Sequence, residues 1–131
     1  MAAAEYNFSI EQGSSHTISF TYKDSTNTVV DISNWCARII MTTSDNQTIT
    51  YSSGITSSDY KMSLDGPNGK ITLLIPALTT NNFTFKTAKY DLELESDDIL
   101  YSGGGNYTNR ILYGTITIVK RSSHNSTILE C

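Results

Sequence analysis

Along almost the whole of this 131-residue chain, apolar residues return at every second position. YNFSI (6–10) alternates Tyr6, Phe8 and Ile10, and HTISFTY (16–22) alternates Ile18, Phe20 and Tyr22. NWCARIIMTT sets Trp35, Ala37, Ile39 and Met41 on one side. In an extended chain successive side chains leave on opposite faces, so a period of two describes strands with one face on a core and one in water. Further strands are expected in VVDIS, TITYS (48–52), YKMSLD (60–65), KITLLIP (70–76), KYDLELES (89–96) and RILYGTITIVKR (110–121). Turn signals separate them: KDSTNT, SDNQ, and GPNG (66–69), where Gly and Asn tolerate positive φ and Pro67 fixes its own. Only PALTTNNF (76–83) has room for a helical turn, with Thr79 or Thr80 as an N-cap. No heptad, internal repeat or low-complexity linker interrupts the pattern.

The expectation is an all-β sandwich of one domain over residues 1–123, followed by a tail, HNSTILEC (124–131), without core pattern. Its core is expected to include Trp35, Ile39, Leu73, Ile75, Leu92, Leu94, Ile116 and Ile118, with Leu112 a further candidate. Hydrophobic residues at 38% and charged residues at 17% suit a folded chain. The net charge of −4, with nine scattered Lys and Arg, argues against nucleic acid, whose binding needs a basic stripe to displace counterions. MAAAEYNFSI has no basic segment leading into an apolar one, and no apolar run is long enough to span a bilayer, so neither a secretory leader nor a membrane partner is expected. Cys36, within an apolar run, is expected in the core; Cys131 lies on the tail, and both are read as free thiols. The sequons at Asn7, Asn46, Asn82, Asn106 and Asn125 follow from an Asn-, Ser- and Thr-rich composition.

Candidate chemistry is sparse. Asp91, Glu93 and Glu95 alternate with Tyr90, Leu92 and Leu94, which puts the three carboxylates on one strand face roughly 6–7 Å apart. A catalytic acid needs burial to raise its pKa, so these read as a solvated face, with metal ligation aided by Asp97 and Asp98 as the alternative. Neither His16 nor His124 has the loop context of a nucleophile–base pair, and no G-x-S-x-G is present. A reactive Cys36 would need an electropositive neighbour, for which Arg38 is the sole candidate. Zinc-ligand spacing is absent, and SLDGPNG lacks the alternating acids of a calcium loop. No catalytic, metal or cofactor residues are therefore assigned, and an enzyme is not expected. YSGGGNYTNR (101–110) is a glycine loop with no helix after it to complete a phosphate cradle. Tyr101, Gly103, Gly104, Gly105 and Tyr107 make it a possible contact loop, since tyrosine offers large area at low entropic cost. Alternation assigns Tyr6, Tyr22 and Tyr90 to the core side and leaves Tyr51, Tyr60, Tyr101, Tyr107 and Tyr113 as surface aromatics, the material of a carbohydrate platform if they align.

The order of the pieces carries a resemblance. FSIEQGSSHTISFTYKD, then DISNWCARIIM, GKITLLIPALTTNNF, KYDLELES and RILYGTITIVKR together resemble a module of tailed-bacteriophage virion proteins, over about residues 6–121. That module occurs as small tail or baseplate components and as the N-terminal attachment domain of upper-baseplate and fibre proteins. The resemblance implies an antiparallel immunoglobulin-like β-sandwich with a scaffolding role, no cofactor, other virion proteins as partners in a homo- or hetero-oligomeric assembly, and residence in the virion. No receptor-binding or fibre domain follows residue 121, so an adaptor, plug or decoration role is expected rather than host recognition. The competing expectations are a carbohydrate-binding or adhesin module and a head or neck decoration protein.

Overall fold

The computed structural model describes residues 3–53, 62–95 and 108–120. They form β1 (Ala4–Glu5), β2 (Phe8–Glu11), β3 (His16–Thr21), β4 (Cys36–Thr43), β5 (Thr48–Ser52), β6 (Met62–Asp65), β7 (Lys70–Ile75), α1 (Ala77–Asn81), β8 (Thr87–Glu95) and β9 (Thr108–Val119). One sheet runs β1-β9-β8-β4-β5, with β2 also on β9, and the other runs β3-β7-β6. The all-β sandwich read from alternation is the observed architecture. β4, β5, β8 and β9 pair antiparallel, as do β3, β7 and β6. The departure lies at the first strands: β1 and β2 follow one another along a single edge of β9, both parallel to it. Nearly the whole chain separates these partners, so no hairpin dictates their direction.

The two inner faces meet in a core built by the expected alternation. Ile10, Ile39, Met41, Leu73, Ile75, Leu92, Leu94 and Ile116 are all buried. Each such side chain contributes about 1.5–3 kcal/mol by leaving water. Of the expected core, Ile118 is also buried, whereas Trp35 and Leu112 are only partly covered and pack against the cluster's margin. Trp35 immediately precedes β4 and leans on the Tyr22 ring, with centroids 6.3 Å apart. Cys36 is exposed, not core. Alternation itself requires this, because the burial of Ala37 and Ile39 turns Cys36 outward. Tyr51 is buried and Tyr6 is 45% exposed, the reverse of their expected sides.

Turn chemistry fixes the register. The GPNG hairpin joins β6 to β7, and Gly69 at φ 61° donates to the Gly66 carbonyl. Asn46, at φ 66°, turns the chain between β4 and β5. The helical turn appears where PALTTNNF allowed it, but Pro76 occupies the N-cap and no side chain caps it. Thr80 has a different task. Fully buried, its hydroxyl donates to the Ser14 carbonyl and accepts from the Gly13 N–H, tying α1 to the corner between β2 and β3. A buried hydroxyl without such partners would destabilise the fold.

A second corner shapes the first-strand edge. Between β1 and β2, Tyr6 and Asn7 rise over Gly114 of β9. The Tyr6 N–H donates to the Tyr113 carbonyl at 2.8 Å, and the Thr115 N–H donates to Asn7 Oδ1 at 2.8 Å, so a side chain continues the ladder where the backbone breaks. From beneath, the Tyr90 hydroxyl donates to the Tyr6 carbonyl at 2.6 Å. Burial, and then the neighbouring Tyr6, push the Tyr90 hydroxyl up to about 12.

Candidate functional site

The expected contact loop, Tyr101, Gly103, Gly104, Gly105 and Tyr107, lies outside the described residues, as do Tyr60, Asp97, Asp98, His124 and Cys131. The remaining candidates fall on three places: the outer face of the larger sheet, the histidine at the start of β3, and a cleft between the sheets.

In β8, Leu92 and Leu94 point inward while Asp91, Glu93 and Glu95 point to the outer face, as their alternation in KYDLELES led one to expect. The carboxylates are not left to repel one another. Arg38 on β4 donates through Nε and Nη2 to Glu93 Oε1 at 3.0 and 2.6 Å. Arg110 on β9 donates to Asp91 Oδ1 at 3.0 Å, and its guanidinium stands 5.0 Å from the Tyr113 ring centroid. Sequence reasoning missed both partners. Arg38 and Glu93 are 55 residues apart, and only the β4–β8 register brings them opposite each other. Arg38, named as the group that would activate Cys36, is thus engaged with a carboxylate. Among the described residues, no group of three or more His, Cys, Asp or Glu is placed to hold a metal ion.

His16 stacks on Phe8, with ring centroids 5.4 Å apart and planes 8° from parallel. Its Nε2 is buried without a hydrogen-bond partner, and burial lowers its pKa. Of the adjacent serines, the Ser15 hydroxyl accepts the Ala77 N–H. This arrangement packs an imidazole; it does not orient a base toward a nucleophile.

The cleft was not anticipated. About 450 Å³ in volume, it opens between β3 with its following residues (Ser19–Lys23) and the start of β9 (Asn109–Leu112), with Ala4 at its side. Two features of the fold adjoin it. The β8–β9 register shifts between Leu92 and Glu93, which displaces the start of β9 locally. In addition, β3 is the edge strand of its sheet among the described residues, so no described strand of that sheet closes the gap. No local sequence signal marks such a space, because it depends on which strands end up at sheet edges.

Tyr51 and Tyr90 are buried, while Tyr6 and Tyr113 lie at the first-strand edge. No described helix is long and apolar enough to cross a membrane. No protein-family model matches the chain, and no curated protein matches it either.

Proposed function

We propose that this protein is a non-enzymatic structural component of a tailed-bacteriophage virion, an adaptor in a tail, baseplate or fibre-attachment assembly built on an immunoglobulin-like sandwich. The observation that carries the reading is the ordered series of segments that resembles the virion module. Those segments coincide with folding units: FSIEQGSSHTISFTYKD holds β2 and β3, DISNWCARIIM leads into β4, GKITLLIPALTTNNF holds β7 and α1, and KYDLELES and RILYGTITIVKR hold all but the first two residues of β8 and of β9. The strand order supports the immunoglobulin-like part. β4, β8 and β9 share a sheet, as strands C, F and G do in that fold, and β3, β7 and β6 run in the order B, E, D. An extra strand, β5, beside β4 matches the variable-type enlargement of the larger sheet.

In this reading the partners are other virion proteins, the site of residence is the particle, and the sandwich offers edges, loops and chain ends as contacts. The test is quantitative mass spectrometry of particles purified from cells that make this chain, with immuno-electron microscopy to place it. Stoichiometric recovery, with label on the tail or baseplate, is the expected result. Absence from particles overturns the reading, and tight binding of purified protein to host glycans would transfer it to the adhesin class.

A further inference from the structure

The outer edge of β3 has no strand partner among the described residues. The registers of β3 and β7 sum to a constant, from His16 opposite Ile75 to Thr21 opposite Lys70. One residue further on, the Tyr22 N–H donates to the Gly69 carbonyl at 2.8 Å, which fixes the parity of the ladder. Tyr22, Phe20, Ile18 and His16 turn their backbone groups toward β7. Thr17, Ser19 and Thr21 turn theirs away, to an edge with no strand partner among the described residues. The 3.1 Å contact between the Ser19 and Thr72 hydroxyls agrees, because side chains approach most closely across a pair that exchanges no backbone bonds.

Proteins commonly blunt such edges with charge, proline or a bulge. From His16 to Tyr22 this edge has no Asp, Glu, Lys, Arg or proline, and its register with β7 is unbroken. The edges of β5 and β6 adjoin residues 54–61, outside the described residues, whereas β3 is described on both flanks.

We propose that β3 pairs antiparallel with β3 of a second copy, about a two-fold axis at Ser19. Parity requires outward residues to face outward residues, and of the registers that satisfy it only the one centred on Ser19 pairs Thr17, Ser19 and Thr21 all within the strand. Centring on Ser19 sets Ser19 against its own copy and Thr17 against Thr21 twice, so all the outward N–H and C=O groups meet partners. The same register puts Ile18 of each copy opposite Phe20 of the other, on the side that faces the core. Both side chains are half-buried in the single chain; Phe20 lines the cleft and meets the Tyr6 ring edge-on, with centroids 5.9 Å apart. Pairing joins the two three-stranded sheets into one of six strands. Charge permits it: a two-fold contact places like beside like near its axis, and this edge brings no formal charge there.

The pairing is tested on purified full-length protein by sedimentation equilibrium, independently of any particle. Wild type is expected to show a reversible monomer–dimer equilibrium. Ser19→Lys and Ser19→Glu should each weaken dimerisation about tenfold or more, because each sets like charges face to face. An equimolar mixture of the two variants should recover the dimer, since Lys then meets Glu across the axis. Recovery also shows that both variants are folded. Thr50→Lys, on the exposed side of β5, should leave the equilibrium unchanged. A strictly monomeric wild type overturns the proposal, as do undiminished dimers in both variants, a mixture that stays monomeric, or loss of the dimer in Thr50→Lys.

Discussion

Replacing Gly114 by Ala tests whether the corner between β1 and β2 closes as described. A β-carbon at Gly114 would overlap the Tyr6 carbonyl oxygen and stand 2.8 Å from both Asn7 Oδ1 and the Tyr6 carbonyl carbon. Two of these atoms are backbone, so no rotamer change relieves the overlap; the chain at Tyr6 and Asn7 has to lift off β9. Three hydrogen bonds stretch when it lifts: Tyr6 N–H to Tyr113, Thr115 N–H to Asn7, and the Tyr90 hydroxyl to Tyr6. Each is worth about 0.5–1.5 kcal/mol net, with a further cost if the buried Tyr90 hydroxyl loses its acceptor. Opposing this, Ala is favoured over Gly in a strand by about 0.5–1 kcal/mol. The expected loss is therefore about 1–4 kcal/mol, read as a lower urea midpoint at unchanged slope. Amide exchange should show protection falling first at Tyr6 and Thr115. Unchanged or greater stability, with both amides still protected, would refute the close approach of Tyr6 to β9.

Two further outcomes follow from the charges. Replacing Asp91, Glu93 and Glu95 by Asn, Gln and Gln should cost no more than about 1 kcal/mol per exposed ion pair lost, and millimolar calcium should not raise the melting temperature of either form. A calcium-dependent rise confined to wild type would restore the metal-site alternative. For Tyr90, the folded value of about 12 lies above the ordinary tyrosine value of about 10. The unfolded chain thus releases this proton first, and stability should fall as pH rises from about 10 toward about 12, with little change from this group below. In Tyr90→Phe that segment of the urea-midpoint profile should flatten; an identical alkaline slope in both proteins would show that Tyr90 does not set it.

How much of this was legible in the sequence depends on the range of the interaction concerned. Alternation located Ile39, Met41, Leu73, Ile75, Leu92 and Leu94 in the core, because side-chain direction in a strand is a local property. The GPNG hairpin was legible for the same reason: a tight turn is decided within a few residues. The phase was legible even where it was misapplied, since placing Ala37 inward already sends Cys36 outward. Tyr51 illustrates the limit. Its own strand alternates weakly, and its burial comes from pairing opposite Ile39, which sits on the core face of β4. Tyr6 shows the converse, because its place is set by Gly114, more than a hundred residues away.

The same distinction explains why the described surface features were unreadable beforehand. The outward carboxylates of β8 were evident, but Arg38 and Arg110 became their partners only when β4 and β9 settled on either side of β8. The cleft and the open edge of β3 arise one level higher still. The first strands lie on β9 in the larger sheet, and the Gly13 corner then sends β3 into the other sheet, where β7 is its only partner among the described residues. Had the N-terminal segment paired with β3 instead, Thr17, Ser19 and Thr21 would be internal to a sheet. The choice of sheet made by Ala4–Glu11 is therefore what leaves an uncharged edge beside an apolar cleft. The contact surface of β3 is a property of topology; its fitness for self-pairing is a property of the seven residues HTISFTY.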